Sequence, residues 1–204
     1  MLEHLPSIDR REALRYLRIR GGSVPPDLED ALARCERELM SAARPRAVWR
    51  LFDREANGRL SGTGFVPAGE SIRRHLSGCG QVILMAATLG SEAESLLRRA
   101  QIRDMGDALI LDALGSAAIE GVCDRLCEEI AQELSPRRLT ARFSPGYGDL
   151  PLGQQRELFA VLDVTRRIGV SLSESGLMLP QKSVTALIGV KHPIQQGEEQ
   201  RESI

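Results

Sequence analysis

The chain has 204 residues, 42% hydrophobic and 27% charged, which fits one globular domain with at most a small appendage and argues against disorder away from the ends. A net charge of −1, with no Lys/Arg run standing clear of acids, gives no reason to expect nucleic acid as a partner. The N-terminus is polar and reads as no leader, Val82 to Ala87 is too short an apolar run to span a bilayer, and four cysteines without a Cys-x-x-Cys pair fit reduced thiols in the cytoplasm. Only 3% of residues are aromatic, so Leu, Ile, Val, Ala and Met must build the core.

Asp9-x-x-Glu12 is a capping-box pattern that opens a first helix, expected to run to Arg20 and stop at Gly21-Gly22. Pro25-Pro26-Asp27 starts a second helix, broken by Arg44-Pro45. Ala47 to Asp53 reads as a strand. Asn57-Gly58 is a hairpin signal with a return strand through Leu60. Ser71 to Leu76 fits a short helix. Gln81 to Thr88 is an apolar run of strand length, as in a strand buried on both faces. Gly90 closes it, and a helix follows through Arg99. Arg103 to Leu134 is the longest helical stretch, ended by Ser135-Pro136. A turn-rich loop spans Arg142 to Leu152, and a helix runs from Gln154 to Ile168 up to Gly169. Ser183 to Val190 reads as a last strand. Helices and strands mix without a regular βαβ rhythm, so the fold class is α+β. The expected division is an N-terminal helical segment over 1–44, one domain over 45–194 and a polar tail over 195–204.

The long helix carries polar groups on what reads as its apolar face. At about 100° per residue, Met105, Leu109, Ile119, Cys123, Leu126 and Ile130 fall within about 60° of Asp112. Ser116 and Glu120 follow Asp112 at successive i+4 steps, forming one column. A buried carboxylate needs partners. Either Asp112 and Ser116 bond nearby backbone and Glu120 reaches solvent, or the column lines a pocket for a cationic or amino-bearing ligand. Cys123 and Cys127 share this helix, but two thiols without further ligands do not make a metal site.

The loop Arg142-Phe143-Ser144-Pro145-Gly146-Tyr147 is dense in turn formers. Pro145-Gly146 favours a type II turn, with Gly146 supplying the positive φ. Arg142 offers a planar fork for a carboxylate, and Tyr147 a flat face and a hydroxyl. A nucleoside that bears an amino acid needs a clamp, backbone contacts and a stacking surface. The alternative is a structural turn with Tyr147 packed on the core.

Arg142-x-x-Pro145-Gly146-Tyr147 precedes a helix ending in Ile168-Gly169, then Leu172-Ser173-Glu174-Ser175 and Met178-Leu179-Pro180-Gln181-Lys182-Ser183-Val184. In this order the stretch resembles the activation domain of cobalamin-dependent methionine synthase. The likeness covers about residues 142–190 well and Asp112 to Glu120 more loosely. It implies a mainly antiparallel twisted sheet packed by helices. It also implies S-adenosylmethionine as ligand, with Arg142 on the methionyl carboxylate, Ser144 giving backbone contacts, Gly146 allowing close approach and Tyr147 touching the ligand. An Ile-Asp pair opens that family's domain and touches the ligand. Ile8-Asp9 corresponds to it, and Asp9 reads equally well as an N-cap. The chain departs from the pattern in three ways. No aromatic residue follows Gln195, no acid stands shortly before Arg142, and Ser116 occupies the position of a helix glutamate that Glu120 can replace.

The glycine-rich nucleotide loop of ordinary methyltransferases is missing, as is a Cys-x-x-x-Cys-x-x-Cys run. Arg73-x-His75-x-x-Gly78 only mimics a cobalamin-ligand motif, because Arg73 stands where an aspartate would orient the histidine, and His75 reads as a surface or turn residue. His4 and His192 have no suitable partners in sequence. The resemblance therefore implies a chain that holds S-adenosylmethionine while cobalamin sits in trans. The partner would be a corrinoid protein or a methionine synthase lacking its own activation domain, with a flavodoxin-like electron donor. The alternative is a docking protein of the same fold that has lost S-adenosylmethionine.

Overall fold

The computed structural model describes Leu5, residues 7–19 and residues 24–191. The expected stop at Gly21-Gly22, His4, His192 and the 195–204 tail lie outside the described residues. Helix α1 (Arg10–Tyr16) is capped by Asp9, whose side chain accepts from the Arg11 and Glu12 amides at 2.8 and 3.3 Å. The capping box is not completed, because Glu12 turns to Arg15 instead. The helix also ends earlier than expected, with Arg18 in a left-handed conformation. Helix α2 (Pro26–Ala42) begins on proline, whose missing amide has no helical partner at that position anyway.

Strand β1 (Arg46–Asp53) is followed by the expected turn, with the Gly58 amide donating to Glu55 O at 2.8 Å. The return strand is not formed. Only the bridge Arg54–Leu60 remains, and β1 pairs over its whole length with another strand. After α3 (Glu70–His75) comes β2 (Gln81–Thr88), at the bounds its apolar run predicts. Helices α4 (Ser91–Arg103) and α5 (Met105–Glu133) follow, then the two-residue strand β3 (Arg138–Leu139). A short 3-10 turn leads into α6 (Gln155–Leu162) and α7 (Val164–Ile168). The single helix expected from Gln154 to Ile168 is thus broken at Asp163, whose φ of 53° belongs to the left-handed region that Asp enters more readily than most residues. Strands β4 (Ser171–Leu172) and β5 (Met178–Leu179) form a small hairpin before β6 (Ser183–Lys191).

The main sheet has the order β1-β2-β6-β3, with every neighbour antiparallel. Trp49 on β1, Met85 on β2 and Ala186 on β6 are in register across it. β2 is central and alternates between two cores, as a strand covered on both faces must. Ile83, Met85 and Ala87 face a core shared with α1, α2, α4 and α5. Val82, Leu84 and Ala86 face a core with α3, α6 and α7. The α+β class and the mainly antiparallel sheet agree with expectation. No described helix is long and apolar enough to cross a membrane.

Helix α5 is capped by Asp104, which accepts from the Gly106 and Asp107 amides at 2.7 and 3.1 Å. It lies between the sheet and the α1, α2 and α4 layer, so Leu111, Leu114, Ala118, Val122 and Ile130 are buried around much of its girth. This corrects the reading of Asp112 as the middle of the apolar face. Its side chain is 60% exposed, and Met105 and Leu109 beside it are exposed too. The same face of α5 is buried further along, at Ile119, Cys123, Leu126 and Ile130, so the stripe is covered over its C-terminal half and Asp112 lies on the stretch left open.

Candidate functional site

The 142–152 loop is built from two tight turns. Tyr147 donates its amide to Ser144 O at 3.1 Å, with Pro145 and Gly146 between them and Gly146 at φ 88°, as the expected type II turn requires. A second turn joins the Leu150 amide to Tyr147 O at 3.1 Å, and the Gly146 amide reaches Leu150 O at 2.9 Å. Both ends of the loop are anchored. Phe143 exchanges backbone hydrogen bonds of 2.9 and 2.8 Å with Leu187 on β6. At the far end, Asp149 accepts from the Glu70 and Ser71 amides at 2.6 and 2.9 Å. Those backbone hydrogen bonds hold the Asp149 carboxyl below the usual carboxylate range. Gly69 is obligatory beneath it: φ is 127°, and a Cβ there would meet Asp149 Oδ1 at 2.6 Å.

The loop turns Arg142 onto α5. One terminal nitrogen donates to Asp124 at 2.6 Å and the other to Glu120 at 2.6 Å, while the Cys127 thiol lies at 3.9 Å. Burial works to lower the Arg142 pKa. The hydrogen bond to Asp124 leads the influences that outweigh it, so the guanidinium is held above its ordinary value. One α5 turn back from Glu120, Lys182 repeats the arrangement, with its Nζ 2.7 Å from Asp112 Oδ1 and donating to Ser116 Oγ at 2.9 Å. Ser116 in turn donates to Asp112 O at 3.0 Å. Gly115 makes room for the lysine stem, since a Cβ there would lie 3.2 Å from Lys182 Cε. The polar column is therefore answered by two cations of the protein. Ser116 makes the backbone bond expected of it, while Asp112 and Glu120 are partnered by cations.

Between α5 and the loop lies a cleft of about 510 Å³. Glu120, Asp124, Arg142, Ser144 and Tyr147 line it together with Thr140, Ala141, Cys127 and Val184. Tyr147 is 71% exposed, so it is not packed on the core and its ring is free to stack. Phe143 supports it edge-on, with centroids 5.8 Å apart, and His75 lies against Phe143 at 5.1 Å. His75 Nε2 donates to Ala141 O at 2.8 Å and lies 2.9 Å from Thr140 Oγ1. It is thus a half-buried brace under the loop rather than a free surface histidine.

Of the residues singled out in the sequence, Glu120, Arg142, Ser144 and Tyr147 come together at this cleft. Asp9, Asp112 and Gly146 are not among its lining residues. Asp9 caps α1, Asp112 holds Lys182, and Gly146 shapes the turn behind Ser144 and Tyr147. Asp124 and Lys182 were missed. Asp124 continues the i+4 column by one more step, a signal that was legible. Lys182 lies 66 residues from Ser116 and has no local signature.

A family model described as "Vitamin B12 dependent methionine synthase, activation domain" matches residues 77–196. The chain belongs to this family. The match spans β2 to β6 and so includes α5 and the 142–152 loop, while α1, α2, β1 and α3 lie before it. Among solved structures, the fold is similar to the MetH reactivation domain bound to AdoHcy. The TM-score is 0.62 at 18% identity, over 93% of this chain and 75% of that one. No curated protein matches the chain.

Proposed function

We propose that this member of the activation-domain family binds S-adenosylmethionine in the cleft and presents its methyl group to a corrinoid carried by a separate protein. The observation that carries the reading is the pairing of Arg142 with Glu120 beside the exposed Tyr147 ring. A ligand with an α-carboxylate, an α-ammonium and an adenine matches that set group for group. Arg142 takes the carboxylate, Glu120 the ammonium, and Tyr147 the adenine face. Ser144 contributes backbone contacts at the cleft wall, and Gly146 keeps the turn tight. The AdoHcy bound by the MetH reactivation domain is a nucleoside of the same chemical type, which supports this reading.

Arg142, Glu120 and Tyr147 would hold the ligand, whose sulfonium would supply the methyl group, while the partner's corrinoid, with one electron from a flavodoxin-like donor, would supply the acceptor. The chain's own residues bind and orient. No acid–base pair is required of them, and the gain is proximity of the methyl group to the metal. The partner is a corrinoid protein, or a methionine synthase lacking its own activation domain.

One observation favours a second reading, a docking protein that has lost the ligand. Arg142 is already held by two carboxylates, which compete with any third. Isothermal titration with S-adenosylmethionine separates the two readings. Heat of binding and a rise in unfolding temperature support the first. Neither signal at millimolar ligand leaves the docking reading.

A further inference from the structure

We propose that Asp124 sets the affinity and specificity of this cleft: its carboxylate, which holds Arg142, is exchanged for the carboxylate of an incoming amino-acid ligand. The inference rests on the S-adenosylmethionine reading above.

Four observations support it. Asp124 and Glu120 hold different terminal nitrogens of Arg142, each at 2.6 Å, so one can leave without freeing the other. Their exposure differs: the Asp124 side chain is 68% exposed against 42% for Glu120. The more exposed carboxylate regains its hydration at the lower cost when it departs. Asp124 also makes no other side-chain hydrogen bond among the described residues.

The fourth observation is the charge balance. Arg142 with two carboxylates sums to one net negative charge, and Cys127, the remaining group on the guanidinium, stays a thiol because burial raises its pKa. A zwitterionic amino acid added to this set would leave three carboxylates around one guanidinium. With Asp124 released to solvent, the four charges at the amino-acid end of the ligand cancel: Arg142, Glu120, the ligand carboxylate and the ligand ammonium, the sulfonium standing outside this set. Asp124 therefore keeps the arginine aimed, and it lowers affinity for any ligand that must take its seat. A ligand with the ammonium but without the carboxylate needs no exchange and leaves Asp124 where it is.

The test is isothermal titration of the full chain and its Asp124→Asn variant with two probes, S-adenosylmethionine and its decarboxylated form. The variant should bind S-adenosylmethionine about two- to fivefold more tightly, the range of a surface ion pair, with no tightening for the decarboxylated probe. Binding of S-adenosylmethionine by the variant alone would support both proposals. Equal or weaker binding of S-adenosylmethionine by the variant, with the parent chain still binding, overturns the Asp124 role and leaves the ligand assignment standing. Equal tightening of both probes also overturns it, since the gain then does not depend on the ligand carboxylate. No binding by either protein overturns both, because freeing the clamp has uncovered no site.

Discussion

Arg142 and Glu120, 22 residues apart in the chain, meet at 2.6 Å and tie the turn-rich loop to the middle of α5. The contact gives the cleft a fixed positive corner with a carboxylate beside it. Arg142→Ala should weaken S-adenosylmethionine binding by ~1.5–3 kcal/mol, the scale of a hydrogen bond to a charged group. Arg142→Lys should restore little of it, because one ammonium cannot hold Glu120 and the ligand carboxylate in the planar geometry of a fork. Titration calorimetry on both variants checks this, and unchanged affinity in Arg142→Ala removes Arg142 from the site.

Tyr147 stands 71% exposed on Phe143, so its ring is open to a ligand rather than packed in the core. Tyr147→Ala should cost binding about 0.5–1.5 kcal/mol and leave the unfolding midpoint unchanged. Tyr147→Phe should keep most of the affinity. A fall in the midpoint of Tyr147→Ala comparable with its loss of affinity would mean that the ring holds the loop instead.

The stem of Lys182 lies over Gly115 of α5. Glycine inside a helix costs roughly 0.8–1 kcal/mol relative to alanine. Gly115→Ala in a Lys182→Ala background should therefore stabilise the protein by about 1 kcal/mol in urea unfolding. In the presence of Lys182 the gain should shrink, because the new methyl must push the stem off its seat while Nζ is held by Asp112. A double-mutant cycle with no coupling would contradict this packing.

Asp149 has its carboxyl pKa lowered by the Ser71 and Glu70 amides. A depressed folded pKa gives stability that is complete above the unfolded value and is lost as pH falls through the folded one. The stability advantage of the parent chain over Asp149→Asn should thus hold at neutral pH, begin to shrink as pH falls past the ordinary Asp value of 3.8, and vanish below the lowered one. Thermal unfolding of both proteins from pH 7 to pH 2.5 follows it, and an advantage that persists at the acid end would disprove the tether.

The reach of the sequence follows from the range of the forces involved. The bounds of β2 and the ends of α5 were legible because apolar runs, proline and caps act locally. The turn at Pro145-Gly146 was legible for the same reason. The failures were tertiary. Asp112 read as buried because periodicity reports which side is apolar, not how far along the helix that side is covered. The break at Asp163 involves an ordinary Asp in an uncommon conformation, which no local pattern announces. The short strands β3, β4 and β5 exist through pairing alone. At the cleft, residue types and spacing pointed to Arg142, Glu120 and Tyr147, but the cations answering the α5 column come from segments remote in sequence.

The loop is pinned to β6 through Phe143 and to α3 through Asp149 before any ligand arrives. A seat assembled in advance has little ordering left to complete at the moment of capture. Differences in affinity among variants of its residues should therefore appear in how long a ligand stays rather than in how fast it enters. On the proposed function, in which a methyl group is handed on and the cleft then has to empty, residence time is the quantity such a loop would control.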